Sequence, residues 1–248
     1  MRNCLKADIL RVQKKKAYII MTSFVLFIIA IAGITSLILG SEKGPDAFHT
    51  IISAAFGFNS LLLGIPVFSA VIGDDFKSRS MQTVIGRGLS REKLIYARLI
   101  EIIIIVIEAY IVFDLAVLIF GLVGGVDINL IGTIIRGGCR EMLNIIGFTS
   151  VSMIFAYWTQ NGTLALVAYI LLGASVFDLL ISAISFLPGI RNTDINIGDY
   201  VITGMVGHAV DATSFGKGLL WFVFFVLVWV CLPTFIAVKA FKHKELDF

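Results

Sequence analysis

The sequence predicts an all-α polytopic membrane protein: six transmembrane helices, an N-terminal interfacial helix, and a cytosolic helical element between spans two and three. Three observations lead there. Apolar residues fill 58% of the 248 positions and charged residues only 15%, a balance too greasy for a soluble domain. Several uninterrupted apolar runs reach the roughly 20 residues that cross about 30 Å of hydrocarbon. Their length and continuity exclude the alternating strands of a porin. Finally, the polar stretch 73–98 between two such runs is longer than a connector needs to be and has helical patterning of its own.

The whole chain, 1–248, reads as one transmembrane domain. In residues 1–16, Leu5, Ile9 and Val12 share one helical stripe, with Arg2, Lys6, Arg11 and Lys14 to Lys16 around it. That pattern suits a helix lying on anionic headgroups, or equally a plain positive-inside anchor. No cleavable signal peptide is expected, because the first apolar run follows a basic helix and lacks a small-residue cleavage site. Span one is 17–39 and carries no charge; the turn 40–47 contains Pro45; span two is 48–72, kinked at Pro66. Span three is 99–123, closed by Gly124-Gly125, and span four is the shorter 142–158. The tight turn 159–162 leads to span five, 163–187. Residues 188–218 form an extracellular or re-entrant segment. In it Tyr200, Val201, Met205 and Ala209 line one side of a short helix capped by Asp199, either a surface loop or an outer gate. Span six is 219–238, with Pro233 near its end.

Charge placement sets the orientation. Of the twenty Lys and Arg residues, six lie in the N-terminal segment, six in 73–98 and three in the tail from Lys239. The remaining five are Lys43, Arg136, Arg140, Arg191 and Lys217. The positive-inside rule therefore puts both termini and the 73–98 stretch in the cytosol. Cys4, Cys139 and Cys231 form no CxxC pair, and His49, His208 and His243 are scattered, so neither a disulfide framework nor a metal site is suggested.

The stretch 73–98 divides in two. Asp74 and Asp75 open it as acids at a helix start, where the macrodipole favours them. Phe76, Met81, Val84 and Ile85 recur at near-helical spacing, with Lys77, Arg79 and Gln82 between them. Gly86-Arg87-Gly88 breaks that helix. Ser90 then reads as an N-cap with Glu92 in the first turn, launching a helix into span three; Lys93 stands where a capping box would need Glu or Gln.

Four acids fall inside spans: Glu101, Glu108 and Asp114 in span three, Asp178 in span five. A carboxylate at membrane depth costs at least about 2.5 kcal/mol, so such groups face protein or water. Glu101, one turn from Arg98, reads as interfacial and paired. Glu108, Asp114 and Asp178 line a substrate path on the functional reading, or are buried acids bonded to neighbouring polar groups on the structural one. No P-loop, His-Glu-x-x-His or Gly-x-Ser-x-Gly motif occurs.

In architecture the chain resembles the type-2 ABC-exporter permeases, and the motif that carries the likeness is Asp75, Gly86, Ser90, Arg91 and Arg98 around the second-to-third loop. The resemblance implies that 73–98 is the coupling element docking on a separate ATPase subunit, through Asp74, Asp75, Lys77, Arg79, Met81, Gln82, Ile85, Gly86, Arg87, Gly88, Ser90, Arg91 and Lys93. It implies a permease, with no ATPase site of its own, in a bacterial cell membrane. ATP and Mg would sit on the partner subunit, a second permease subunit would complete a homodimer or paralogous pair, and membrane lipids would surround it. Nucleic acid has no place in that reading. Lantibiotic-immunity and peptide-export permeases of similar size suggest an exported cargo that is amphipathic, peptidic or lipid-like. Two other classes remain open: an ion-coupled secondary carrier using Glu108, Asp114 and Asp178, and a non-transporting sensor or immunity protein.

Overall fold

A computed structural model describes residues 2–77, 81, 85, 86, 88–185 and 197–242. Every element among them is helical. α1 is Arg2–Gln13 and α2 is Lys16–Gly57; then come α3 (Asn59–Leu62), α4 (Gly64–Phe68), a π-helical turn Ser69–Gly73 and α5 (Asp74–Lys77). α6 is Arg91–Val123, α7 Ile128–Thr159, α8 Gly162–Gly173 and α9 Val176–Ser185. A 3-10 turn, Ile197–Tyr200, precedes α10 (Ile202–Val210), and α11 (Phe215–Phe225), a π-helical turn Val226–Cys231 and α12 (Leu232–Lys242) end the described chain. Five helices are long and apolar enough to cross a membrane: Lys16–Gly57, Asn59–Phe76, Arg91–Val123, Ile128–Thr159 and Phe215–Lys242. The protein is a helical membrane protein.

The described residues fall into two compact units, one of Met1–Val67 with Ile103–Met142, the other of Phe68–Ile102 with Leu143–Phe248. In the first unit, α2 cannot be one straight rod, since 42 residues would run about 63 Å. At Gly40 the backbone leaves the helix (φ 73, ψ −173), a conformation open essentially to glycine alone. The chain folds back there, bringing Gly44 against the carbonyl of Ser36. The expected turn 40–47 is thus confined to one residue, and Pro45 lies inside the second arm, near its start. One arm buries Val25, Ile29, Ala32 and Ser36, the other Phe48, Ile52 and Phe56, while Ile20, Phe27 and Ile38 are exposed. Apolar residues on both faces mark a helix whose outer surroundings are themselves apolar. Asn59 Nδ2 donates to the Tyr110 hydroxyl at 3.0 Å, satisfying two buried polar groups at once.

The kink expected from Pro66 shows as a turn at Leu63 between α3 and α4, because the proline ring clashes with the carbonyl four residues earlier, that of Leu62, and leaves it without its helical donor. Span four is expected as 142–158, after a loop beginning at Gly124-Gly125; instead α7 is helical from Ile128, burying Ile131 and Ile134. The last run is likewise longer than 219–238, spanning Phe215–Lys242, with a π-helical turn just before Pro233.

In the second unit α7 contributes Phe148, Met153, Ala156 and Tyr157, all buried. Tyr169 of α8 stacks on Phe68 at 5.2 Å and meets Phe148 edge-on at 6.4 Å. The turn 159–162 forms as expected: the Asn161 side chain accepts from the amides of Thr163 and Leu164, at 2.9 and 3.3 Å, and caps α8. Span five is not continuous. α8 stops at Gly173, Ser175 takes a left-handed φ of 56, and α9 restarts at Val176. The helix expected near 198–209 exists as α10, but Val201, not Asp199, precedes it, and its buried face is Ile202, Met205 and Val206. Residues 186–196 and the tail 243–248 lie outside the described residues.

Candidate functional site

The structure corrects the reading of Asp74 and Asp75. Helical backbone runs into them from Asn59 through the π-helical turn, so no free N-terminal amides wait there for a carboxylate. Asp75 is buried instead, 1% exposed, and the guanidinium of Arg98 grips it. Arg98 Nε donates to Oδ2 at 2.6 Å and Nη2 to Oδ1 at 3.1 Å, a two-pronged fit of planar fork to carboxylate. Arg98 Nη1 donates to Glu101 Oε2 at 2.6 Å. The pairing of Glu101 with Arg98 agrees with the sequence reading, and Glu101 is fully buried among protein side chains. α6 places Arg98 there because Leu94, Ile95, Arg98, Leu99 and Ile102 share its buried face.

The rest of the element is fastened around this strut. The Gly88 amide donates to the Ile85 carbonyl at 2.9 Å, and the φ of 92 at Gly88 makes the sharp turn expected from Gly86 to Gly88. Ser90 caps α6 as expected, its Oγ accepting from the Lys93 amide at 3.4 Å. Arg91 Nη1 donates to the Phe241 carbonyl at 2.9 Å, with its guanidinium 5.3 Å from that ring. Glu92 forms an ion pair with Lys242. Phe241 packs on Tyr157 at 5.1 Å, and Tyr157 on Phe76 at 5.7 Å. The start of α6, the end of α7, α5 and the end of α12 are thereby tied in one knot.

This sorts the residues singled out by sequence. Asp75 and Met81 are buried; Asp74, Ile85 and Arg91 are half-buried; Gly86, Gly88, Ser90 and Lys93 are exposed. Arg79, Gln82, Val84, Arg87 and the side chain of Lys77 lie outside the described residues. Sequence reasoning missed the roles of Tyr157, Phe241 and Lys242. It gave Arg98 a place in the motif and Glu101 as a partner, but not Asp75. The available signal was Arg98 itself, a cation on the apolar side of a helix that must find an acid.

The intramembrane acids separate. In the first unit, Glu108 is exposed and accepts from Gln13 Nε2 at 2.7 Å. That bond ties the end of α1 to the middle of α6. Asp114 packs against Gly138, and its Oδ1 is buried with no hydrogen-bond partner among the described residues. Asp178 belongs to the second unit, where Thr203 Oγ1 donates to its Oδ2 at 3.0 Å and it lines an apolar cavity of about 520 Å³. Among the described residues no group of three or more His, Cys, Asp and Glu is placed to hold a metal ion. No protein-family model matches the chain, and no curated protein matches it.

Proposed function

We propose that the chain is the permease subunit of an ABC-type exporter, moving an amphipathic, peptidic or lipid-like cargo with ATP hydrolysed by a separate subunit. The observation that carries this is mechanical. α6 runs unbroken for 33 residues, about 50 Å, and its root is locked to α5 by the buried Arg98 strut. A helix so rooted is suited to carry a push on the 86–93 turn into the span as a tilt. Fifty ångströms exceeds the hydrocarbon thickness by about 20 Å, so part of α6 is left for the aqueous side. The positive-inside argument makes that side the cytosol, where the exposed Lys93 and the turn before Ser90 would meet the ATPase. The fold-back at Gly40 and the two short helices α8 and α9 accommodate six crossings, with both termini cytosolic. A second permease subunit would complete the path.

Co-purification in mild detergent tests this reading. A stoichiometric ATP-binding partner and vanadate-sensitive hydrolysis are expected, and Lys93→Glu should release that partner without affecting membrane insertion. Transport by the reconstituted chain alone, responding to a proton or sodium gradient, would overturn it in favour of an ion-coupled carrier. Ligand binding with neither transport nor an ATPase would favour a sensor or immunity protein.

A further inference from the structure

The turn Ile197–Tyr200 is fastened to its neighbours by three ties, all within the second unit, and one of them can change its charge. Trp229 Nε1 donates to the Tyr200 carbonyl at 3.1 Å, and the Tyr200 ring tilts against Trp221 of α11 at 6.0 Å. The third tie is His208 of α10. Its Nε2 stands 3.3 Å from Asp199 Oδ1, and its ring stacks on Trp221 with centroids 4.8 Å apart and planes 24° from parallel. The turn lies directly on α10, where a Cβ at Gly204 would run into the Gly198 carbonyl.

Histidine is the side chain whose ordinary change of charge falls between about pH 5 and 8. Both contacts of His208 are worth more to an imidazolium than to a neutral ring: the carboxylate attracts the charge, and the face of an indole holds a cation through its quadrupole. The side chains of His208 and Asp199 are 44% and 39% exposed, so bulk protons reach them. The other titratable groups on the elements packed against α10 are of types that ordinarily change charge outside that window. They are Tyr200 on the turn and Lys217, one turn before Trp221 on α11, with Asp211 one turn beyond His208 itself. Asp178 of α9 meets α10 at Thr203, well round the helix from His208. α7 meets it where Gly147 faces Ile202, and carries no titratable side chain from 143 to 156.

The geometry points to a proton-operated latch: with a proton on His208, Asp199 and Trp221 together pin the turn to the α10–α11 pair, and loss of that proton loosens it. The turn leads into Val201 and Ile202, which line the cavity of about 520 Å³ along with Trp229, so the latch sets how firmly that part of the cavity is walled. Each charge-dependent contact favours the pinned turn by about threefold, and the two together by about tenfold. The latch does not rest on the permease reading, and it is measured without any ATPase.

Spin labels on Ile197→Cys in the turn and on Leu220→Cys, at a position 71% exposed on α11, report the distance between them in nanodiscs, with Cys4, Cys139 and Cys231 replaced by serine. At about pH 5 one short distance should dominate, and at about pH 8 the ratio of longer to shorter distances should rise about tenfold. His208→Gln, close in size to histidine and never charged, should show the high-pH distribution at both values. Asp199→Asn should cut the response to about threefold, because only the stack on Trp221 then distinguishes the two charge states. Distances that ignore pH in the unaltered latch would overturn the proposal. So would a His208→Gln variant that keeps the response, or an Asp199→Asn variant that keeps all of it.

Discussion

Arg98 holds together two carboxylates that have almost no access to water. Its three nitrogens each donate to Asp75 or Glu101, and all three residues are 5% exposed or less. Breaking a buried pair strands the remaining charge, which costs about 3–5 kcal/mol. Arg98→Ala should therefore lower stability by that amount, read as a fall in the thermal midpoint in detergent. Arg98→Lys should recover only part of it, because an ammonium cannot span both oxygens of Asp75 while reaching Glu101. If the alanine variant is as stable as the parent, the strut holds nothing. The surface pair Glu92–Lys242 provides a contrast: Lys242→Ala should change stability by less than about 1 kcal/mol, as exposed pairs do.

At the scale of elements, two backbone irregularities decide how the chain runs. Gly40→Ala puts a Cβ into a conformation only glycine tolerates, so a loss of about 1–3 kcal/mol is expected in the same unfolding measurement. The space around Gly40 is empty, which assigns the loss to backbone strain and not to a clash. Ser175 is the milder case, and Ser175→Gly should raise stability by up to about 1 kcal/mol by relieving a left-handed serine. These elements also mark what the sequence made legible. The start of α6 could be read from Ser90, since capping is a local transaction between a hydroxyl and amides two or three residues on. The extent of α7 could not, because Arg136, Arg140 and Gly137-Gly138 interrupt the apolar run while the helix continues on Ile131 and Ile134. The break at Ser175 has no proline or paired glycine to announce it. Asp75 was legible as an acid but not as a buried one, since its partner is 23 residues away and burial is decided by tertiary packing.

For the molecule as a whole, the proposed function makes stiffness in α6 a working property, and stiffness can be altered without touching the knot at its root. Ile100 and Ile104 lie just beyond Arg98 on the exposed face, 44% and 36% accessible, so trimming them opens no cavity. Replacing both with glycine weakens the helix by about 1 kcal/mol at each position, close to where a push would enter. Replacing Leu115 and Ile119, 54% and 58% exposed near the far end, weakens it equally but beyond most of its length. If α6 is a lever, the two pairs should differ: the near pair should cut transport per ATP by about tenfold, the far pair by about twofold or less, with each 1.4 kcal/mol of lost coupling worth a factor of ten. Both variants should still co-purify with the ATPase, because the exposed Gly86, Gly88, Ser90 and Lys93 are unchanged in each. Equal losses from the two pairs would mean that the helix only holds the bundle together, and the path of the stroke would have to lie elsewhere.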